Sequence, residues 1–152
     1  MTTLQDILTP ECTLCSVSGA SKKRVLDKIC TIAESKIAEH GAYELLESLT
    51  AREKLGSTGI GNGIAIPHGR LPNAKSVVAV IVTTDIPVDF NAIDNKPVDI
   101  FIALFVPEAA CEDHLTTLQS IAKLFSDKQI AKQVRKCQSD EELFTLIQKS
   151  TR

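Results

Sequence analysis

The chemical potential of this 152-residue sequence gathers around three histidines, a pair of arginines and a run of glycines. Gly56, Gly59, Gly61 and Gly63 fall close together and lead into Ile64-Ala65-Ile66-Pro67-His68-Gly69-Arg70. Pro67 fixes its own φ and disfavours helix at Ile66, so His68 is expected at a strand terminus. Gly69 would let another protein's backbone or a phosphoryl group come close to it. An imidazole so placed is exposed yet aimed, which suits a nucleophile. A neutral imidazole attacks near neutral pH, and the phosphoramidate it forms can pass its phosphoryl group onward. Such transfer asks the protein for positioning and for groups that stabilise the equatorial oxygens. Ser57 and Thr58 lie in the glycine loop, whose N–H groups could form an anion-binding concavity. Arg52 and Arg70 flank that loop, and His114 begins a helix, whose dipole favours anions.

Residue type alone leaves alternatives open. His68 reads equally as a surface or satisfied core histidine, and His114, beside Glu112 and Asp113, as a first-turn residue that merely tops a helix. His40, next to Gly41, is best placed at a helix terminus. The glycine loop also fits a plain connection, and it is not a Walker A sequence, since no Gly-Lys-Ser/Thr follows Gly56 at the required spacing. Cys12-Thr13-Leu14-Cys15 has C-x-x-C spacing. If Thr13–Val17 is a strand, as its β-branched content suggests, the two cysteines point to opposite faces, which weakens the case for joint redox or metal action.

The elements that must carry these residues follow from periodicity and breakers. From Ser21, an N-cap, Val25, Leu26, Ile29, Ile32, Ala33 and Ile37 recur at helical steps up to a stop near Gly41. Ala42, Leu45, Leu46 and Leu49 continue as a second helix to about Leu55, which the glycines end. Ile64–Ile66, Val77–Val82 and Val98–Val106 read as strands, the latter two apolar on both pleat faces apart from Asp99, as central strands covered on both sides are. The connection from Thr83 to Lys96 has room for a hairpin or an edge strand. Leu115, Leu118, Ile121, Ala122, Leu124 and Phe125 mark a later helix, and Leu143, Phe144 and Ile147 another after Ser139-Asp140. The class is α/β: a single domain, residues 1–152, with a small mixed β-sheet flanked by α-helices. Strand order is not readable from the sequence.

Composition narrows the partners. Seventeen Lys+Arg against nineteen Asp+Glu give a net charge of −2, with 43% hydrophobic residues. No basic footprint for nucleic acid is present, and a length of this order fits one core. Met1–Pro10 lacks a cationic segment followed by an apolar run, and no apolar stretch is long enough to span a bilayer, so a cytoplasmic location without membrane insertion is expected. Five scattered cysteines, among them Cys30, Cys111 and Cys137, argue against a disulfide scaffold.

The segment Arg52-Glu-Lys-Leu-Gly-Ser-Thr-Gly-Ile-Gly-Asn-Gly-Ile-Ala-Ile-Pro-His-Gly-Arg70 closely resembles the active-site segment of the nitrogen-regulatory IIA proteins, in the fructose/mannitol IIA family of the phosphoenolpyruvate-dependent phosphotransferase system. Chain length, the helix-first layout and the later Glu-Asp-His114-Leu segment extend the resemblance over nearly the whole chain. It implies that His68 is the phosphorylated residue, at Nε2, that His114 is its active-site neighbour, and that Arg52 stabilises the phosphate. Arg70 is a weaker candidate for that role, because family members also carry lysine there. It implies a mixed sheet flanked by helices, no metal or organic cofactor, and an HPr-like phosphocarrier as donor, itself charged by enzyme I. It also implies regulatory targets such as potassium transport or sensor proteins, controlled by phosphorylation state. A sugar-specific IIA transferase that passes the group to a IIB domain is the alternative outlet, and a binding module with vestigial phosphorylation is another.

Overall fold

A computed structural model describes residues 3–19, 21–37, 39–110 and 112–150. The helices are α1 (Leu4–Ile7), α2 (Lys22–Glu34), α3 (Ala42–Lys54), α4 (Leu115–Ser126), α5 (Lys128–Lys136) and α6 (Asp140–Lys149). The strands are β1 (Leu8–Val17), β2 (Gly59–Gly61), β3 (Ile64–Ala65), β4 (His68–Leu71), β5 (Val78–Val88) and β6 (Val98–Pro107).

Local chemistry sets the ends of these elements. Ser21 Oγ accepts from Arg24 N at 3.1 Å and opens α2, as an N-cap hydroxyl should. The helix ends at Glu34, short of Gly41, because its last turn tightens: Lys36 N bonds Ala33 O and Ile37 N bonds Glu34 O. Ile37 still reaches the core from there. His40 lies in the connection between α2 and α3, and its Nε2 bonds Pro72 O at 2.6 Å. Gly56, with φ of +148°, turns the chain out of α3, a conformation glycine tolerates without strain.

The sheet is mixed and six-stranded, in the order β1-β5-β6-β3-β2, with β4 also on β6. β5 runs on past Thr83 to Val88 and turns back antiparallel onto β6, which resolves the Thr83–Lys96 connection as a hairpin. β3 and β4 lie in succession along the same edge of β6, both parallel to it, with Ile64 opposite Ile100 and His68 opposite Leu104. The break between them falls at Ile66-Pro67, and Pro67 O still takes a bond from Leu104 N.

Alternation along β5 and β6 divides the core. Val80, Val82, Phe101, Ala103 and Phe105 pack with α2 and α3 on one face. Ala79, Ile81, Ile100, Ile102, Leu104 and Val106 pack with α1, α4, α5 and α6 on the other. Both strands are apolar on both pleat faces for this reason. Cys12 belongs to the first cluster and Cys15 packs against the second, on opposite faces as strand alternation requires. Cys111 lies outside the described residues. No helix among the described residues is long and apolar enough to cross a membrane.

Four elements escaped the sequence reading: α1 and β2, of four and three residues, and the more consequential β4 and α5. β4 is four residues long and holds Gly69 and Arg70, too short and mixed to show alternation. α5 carries only Ala131 and Val134 into the core among lysines, and its audible signal is Asp127, whose carboxylate caps Gln129 N at 2.8 Å.

Candidate functional site

His68 opens β4, one residue beyond the Pro67 break. Its ring is held from two sides: Nδ1 lies 2.9 Å from Ile66 O, and Arg52 Nε lies 3.2 Å from Nε2. A carbonyl can only accept and a guanidinium can only donate, so both bonds require the same neutral tautomer, with hydrogen on Nδ1 and the lone pair on Nε2. Burial pushes the His68 pKa down from its ordinary value. The hydrogen bond that Nδ1 donates to Ile66 O opposes that, the Arg52 charge adds to it, and the Glu53 charge again opposes it. The neutral, nucleophilic ring is therefore the resting state.

Arg52 stands in the last turn of α3 and is itself fixed, since its Nη1 donates to Gly56 O at 2.8 Å. This places a cation within reach of any group bound at Nε2. His114 closes a 3₁₀ turn and stands as N-cap of α4 without a side-chain capping bond, its Nδ1 3.4 Å from Thr117 Oγ1. His68, Arg52, Arg70 and His114 all line one cleft of about 560 Å³, floored by Ser48 and Val106 and rimmed by Leu55, Glu108 and Leu115. Leu55 and Leu115 are exposed at 82% and 52%. An apolar rim around a charged centre suits a protein surface more than a small polar ligand.

The remaining expectations fare differently. Ser57 and Thr58 are not among the residues that line this cleft. Ser57 Oγ donates to Phe90 O at 2.8 Å, and the Thr58 N–H and hydroxyl both donate to the Glu53 carboxylate. Gly69 serves close packing rather than access from outside: a methyl group there would overlap Ser48 Oγ on α3. Arg70 shares the pleat face of His68, two residues on, and so reaches the cleft. Sequence reasoning missed Glu53 altogether. Its adjacency to Arg52 was the available signal, but nothing local showed that its carboxylate turns inward.

A fixed lone pair, a guanidinium at that lone pair and a second imidazole in the same cleft form a site suited to accepting and releasing a phosphoryl group. Residues 6–150 match the family model described as "Phosphoenolpyruvate-dependent sugar phosphotransferase system, EIIA 2". The chain belongs to that EIIA family. Within it, the similarity runs to the nitrogen regulatory proteins. The chain is 44% identical to the "Nitrogen regulatory protein" of Pseudomonas aeruginosa, over 97% of this chain and 96% of that one. It is 46% identical to the protein of the same name from Escherichia coli strain K12, over 96% and 91%. The crystal structure of Nitrogen Regulatory Protein IIA-Ntr from Neisseria meningitidis superimposes with a TM-score of 0.89 at 36% identity, covering 95% of this chain and 98% of that one.

Proposed function

We propose that His68 accepts a phosphoryl group at Nε2 from a phosphohistidine on an HPr-like carrier, and that the protein acts as a regulatory phosphoryl carrier. The observation that carries this reading is the pair of hydrogen bonds that leave the Nε2 lone pair toward Arg52 in the cleft. In transfer, the carrier's N–P bond breaks as the Nε2 lone pair forms a new one, and the Nδ1 proton stays on the ring. Positive charge grows on the imidazole, and Ile66 O stabilises it at Nδ1. Arg52 shifts from the lone pair to the incoming oxygens, with His114 as a second donor across the cleft. Ser57 and Thr58, on this reading, fix the loop rather than touch the phosphate.

Addition of about −1.5 to −2 charge at the centre of an apolar rim changes which surfaces can dock there. The names of the nitrogen regulatory relatives favour a switch of this kind over a sugar-specific hand-off to a IIB domain, and on this reading its targets are proteins such as potassium transport or sensor proteins. Incubation with enzyme I, the carrier and phosphoenolpyruvate is expected to leave an acid-labile, alkali-stable adduct that His68→Ala abolishes. Label that persists in His68→Ala would sink the assignment. Partner capture by the unphosphorylated protein that His68→Asp leaves unchanged would instead favour a binding module with vestigial phosphorylation.

A further inference from the structure

Glu53 stands next to Arg52 in sequence, yet its side chain turns the other way and is only 6% exposed. Its carboxylate is fully engaged. Lys22 Nζ approaches Oε1 at 3.0 Å, Thr58 N lies 3.3 Å and 3.2 Å from the two oxygens, and the Thr58 hydroxyl makes a short bond to Oε2. Lys22 is seated in turn, 4.4 Å over the Phe90 ring. A buried carboxylate with its ion pair adds little net stability, because desolvation offsets the attraction. The arrangement has a directional consequence instead.

Thr58 is tied at both ends. Its N–H and hydroxyl hold Glu53, and its carbonyl accepts Ile66 N–H at 3.0 Å. Ile66 spends its own carbonyl on His68 Nδ1 at 2.9 Å. We infer that Glu53 is a positioning residue for His68, fixing the ring's tautomer and direction through Thr58 and Ile66 from the end of α3 that also carries Arg52. One side chain of α3 then sets the face of the imidazole that keeps its proton, and the neighbouring one meets the face that reacts. The link is mechanical: displacement of Thr58 moves Ile66, and the Ile66 carbonyl is the acceptor that holds hydrogen at Nδ1 while Arg52 donates to Nε2 from the other side. The Glu53 charge also opposes the Arg52 charge at His68, which favours a basic ring nitrogen.

This inference rests on the phosphoacceptor reading for its kinetic consequence but not for its structural one, and the test separates them. Nitrogen-15 spectra of histidine-labelled protein, free of any phosphoryl donor, report the His68 tautomer. The wild type is expected to hold hydrogen at Nδ1 alone, and Glu53→Gln to show a mixture with Nε2–H. Single-turnover transfer from the phosphorylated carrier is expected to fall about tenfold in Glu53→Gln, the effect of one lost charge-assisted bond, with the half-saturating carrier concentration unchanged. Thr58→Val, which keeps the N–H and removes the hydroxyl, is expected to move both readouts the same way by about threefold, and it decides the matter if Glu53→Gln does not fold. A wild-type tautomer and wild-type rate in a folded variant would overturn the inference. Should the wild type take up no phosphoryl group, the functional reading fails while the tautomer measurement alone judges Glu53.

Discussion

Arg52 Nε and His68 Nε2 lie 3.2 Å apart, donor to acceptor, so a fixed cation caps the lone pair of the unprotonated ring nitrogen. Sixteen residues separate the two in sequence, and they meet because α3 lies on β4 where Gly69 allows close approach to Ser48. The pairing makes Arg52 a matter of geometry as well as charge.

Arg52→Lys should therefore behave unlike a conservative change. It keeps a positive charge but loses the planar fork that reaches Gly56 O and His68 at once. Single-turnover transfer is expected to fall about a hundred- to a thousandfold, the range for losing one oriented donor, with the melting temperature nearly unchanged. A wild-type rate would remove Arg52 from the chemistry.

His114→Ala isolates the second imidazole. Its side chain makes no capping bond to α4 and only a long 3.4 Å contact with Thr117 Oγ1, so stability should fall by no more than about 1 kcal/mol. The transfer rate should drop about tenfold or more if it donates to the phosphoryl oxygens. Denaturant unfolding and rapid-quench kinetics on the same preparation would show whether the two effects separate.

The His68 pKa predicts the sign of a pH effect. Burial, aided by the Arg52 charge, holds it below its ordinary value, against the Ile66 hydrogen bond and the Glu53 charge. The unfolded chain takes up a proton at about pH 6.5 while the folded chain still resists it, so the unfolded state binds more protons in that window. Stability contributed by this residue is then fully present above about pH 6.5 and is lost as pH falls toward the folded value. Melting curves of wild type and His68→Asn should diverge in pH dependence below that point and run parallel above it. Phosphoryl acceptance should hold level through the same pH before it declines.

Gly69→Ala tests the packing that brings β4 to α3. The added methyl group meets the Ser48 side chain and backbone. A loss of about 1–3 kcal/mol is expected from overpacking, along with impaired transfer, since His68 precedes the displaced residue. Ser48→Gly in the same chain should recover part of both, measured by chemical denaturation and adduct yield.

Leu55 and Leu115 on the rim are exposed, so Leu55→Asp and Leu115→Asp should leave folding intact. Both should weaken carrier recognition, raising the half-saturating carrier concentration several-fold. An unchanged concentration would remove the rim from carrier docking.

Much of the fold was legible because its signals act over a few residues. Ser21 caps α2, the glycines end α3, and the uninterrupted apolar runs of β5 and β6 announce strands covered on both sides. Ser57 and Thr58 show where that reading stops. Polar donors in a glycine loop look free in the sequence, yet here they bond Phe90 O and Glu53, and Phe90 lies beyond four intervening strands. A polar group takes whichever acceptor the fold brings near it, and no local pattern encodes which one that is.

The sequence by itself determined the fold class, the strand-end placement of His68 and the residue types able to serve phosphoryl chemistry, because propensity, capping and hydrophobic period are properties of neighbouring residues. Only the tertiary structure decided strand order, the turn of Arg52 onto Nε2, the arrival of His114 at the same cleft and the inward course of Glu53. Those depend on the register of β4 against β6 and of α3 against both, and register is set by packing among residues far apart in the chain.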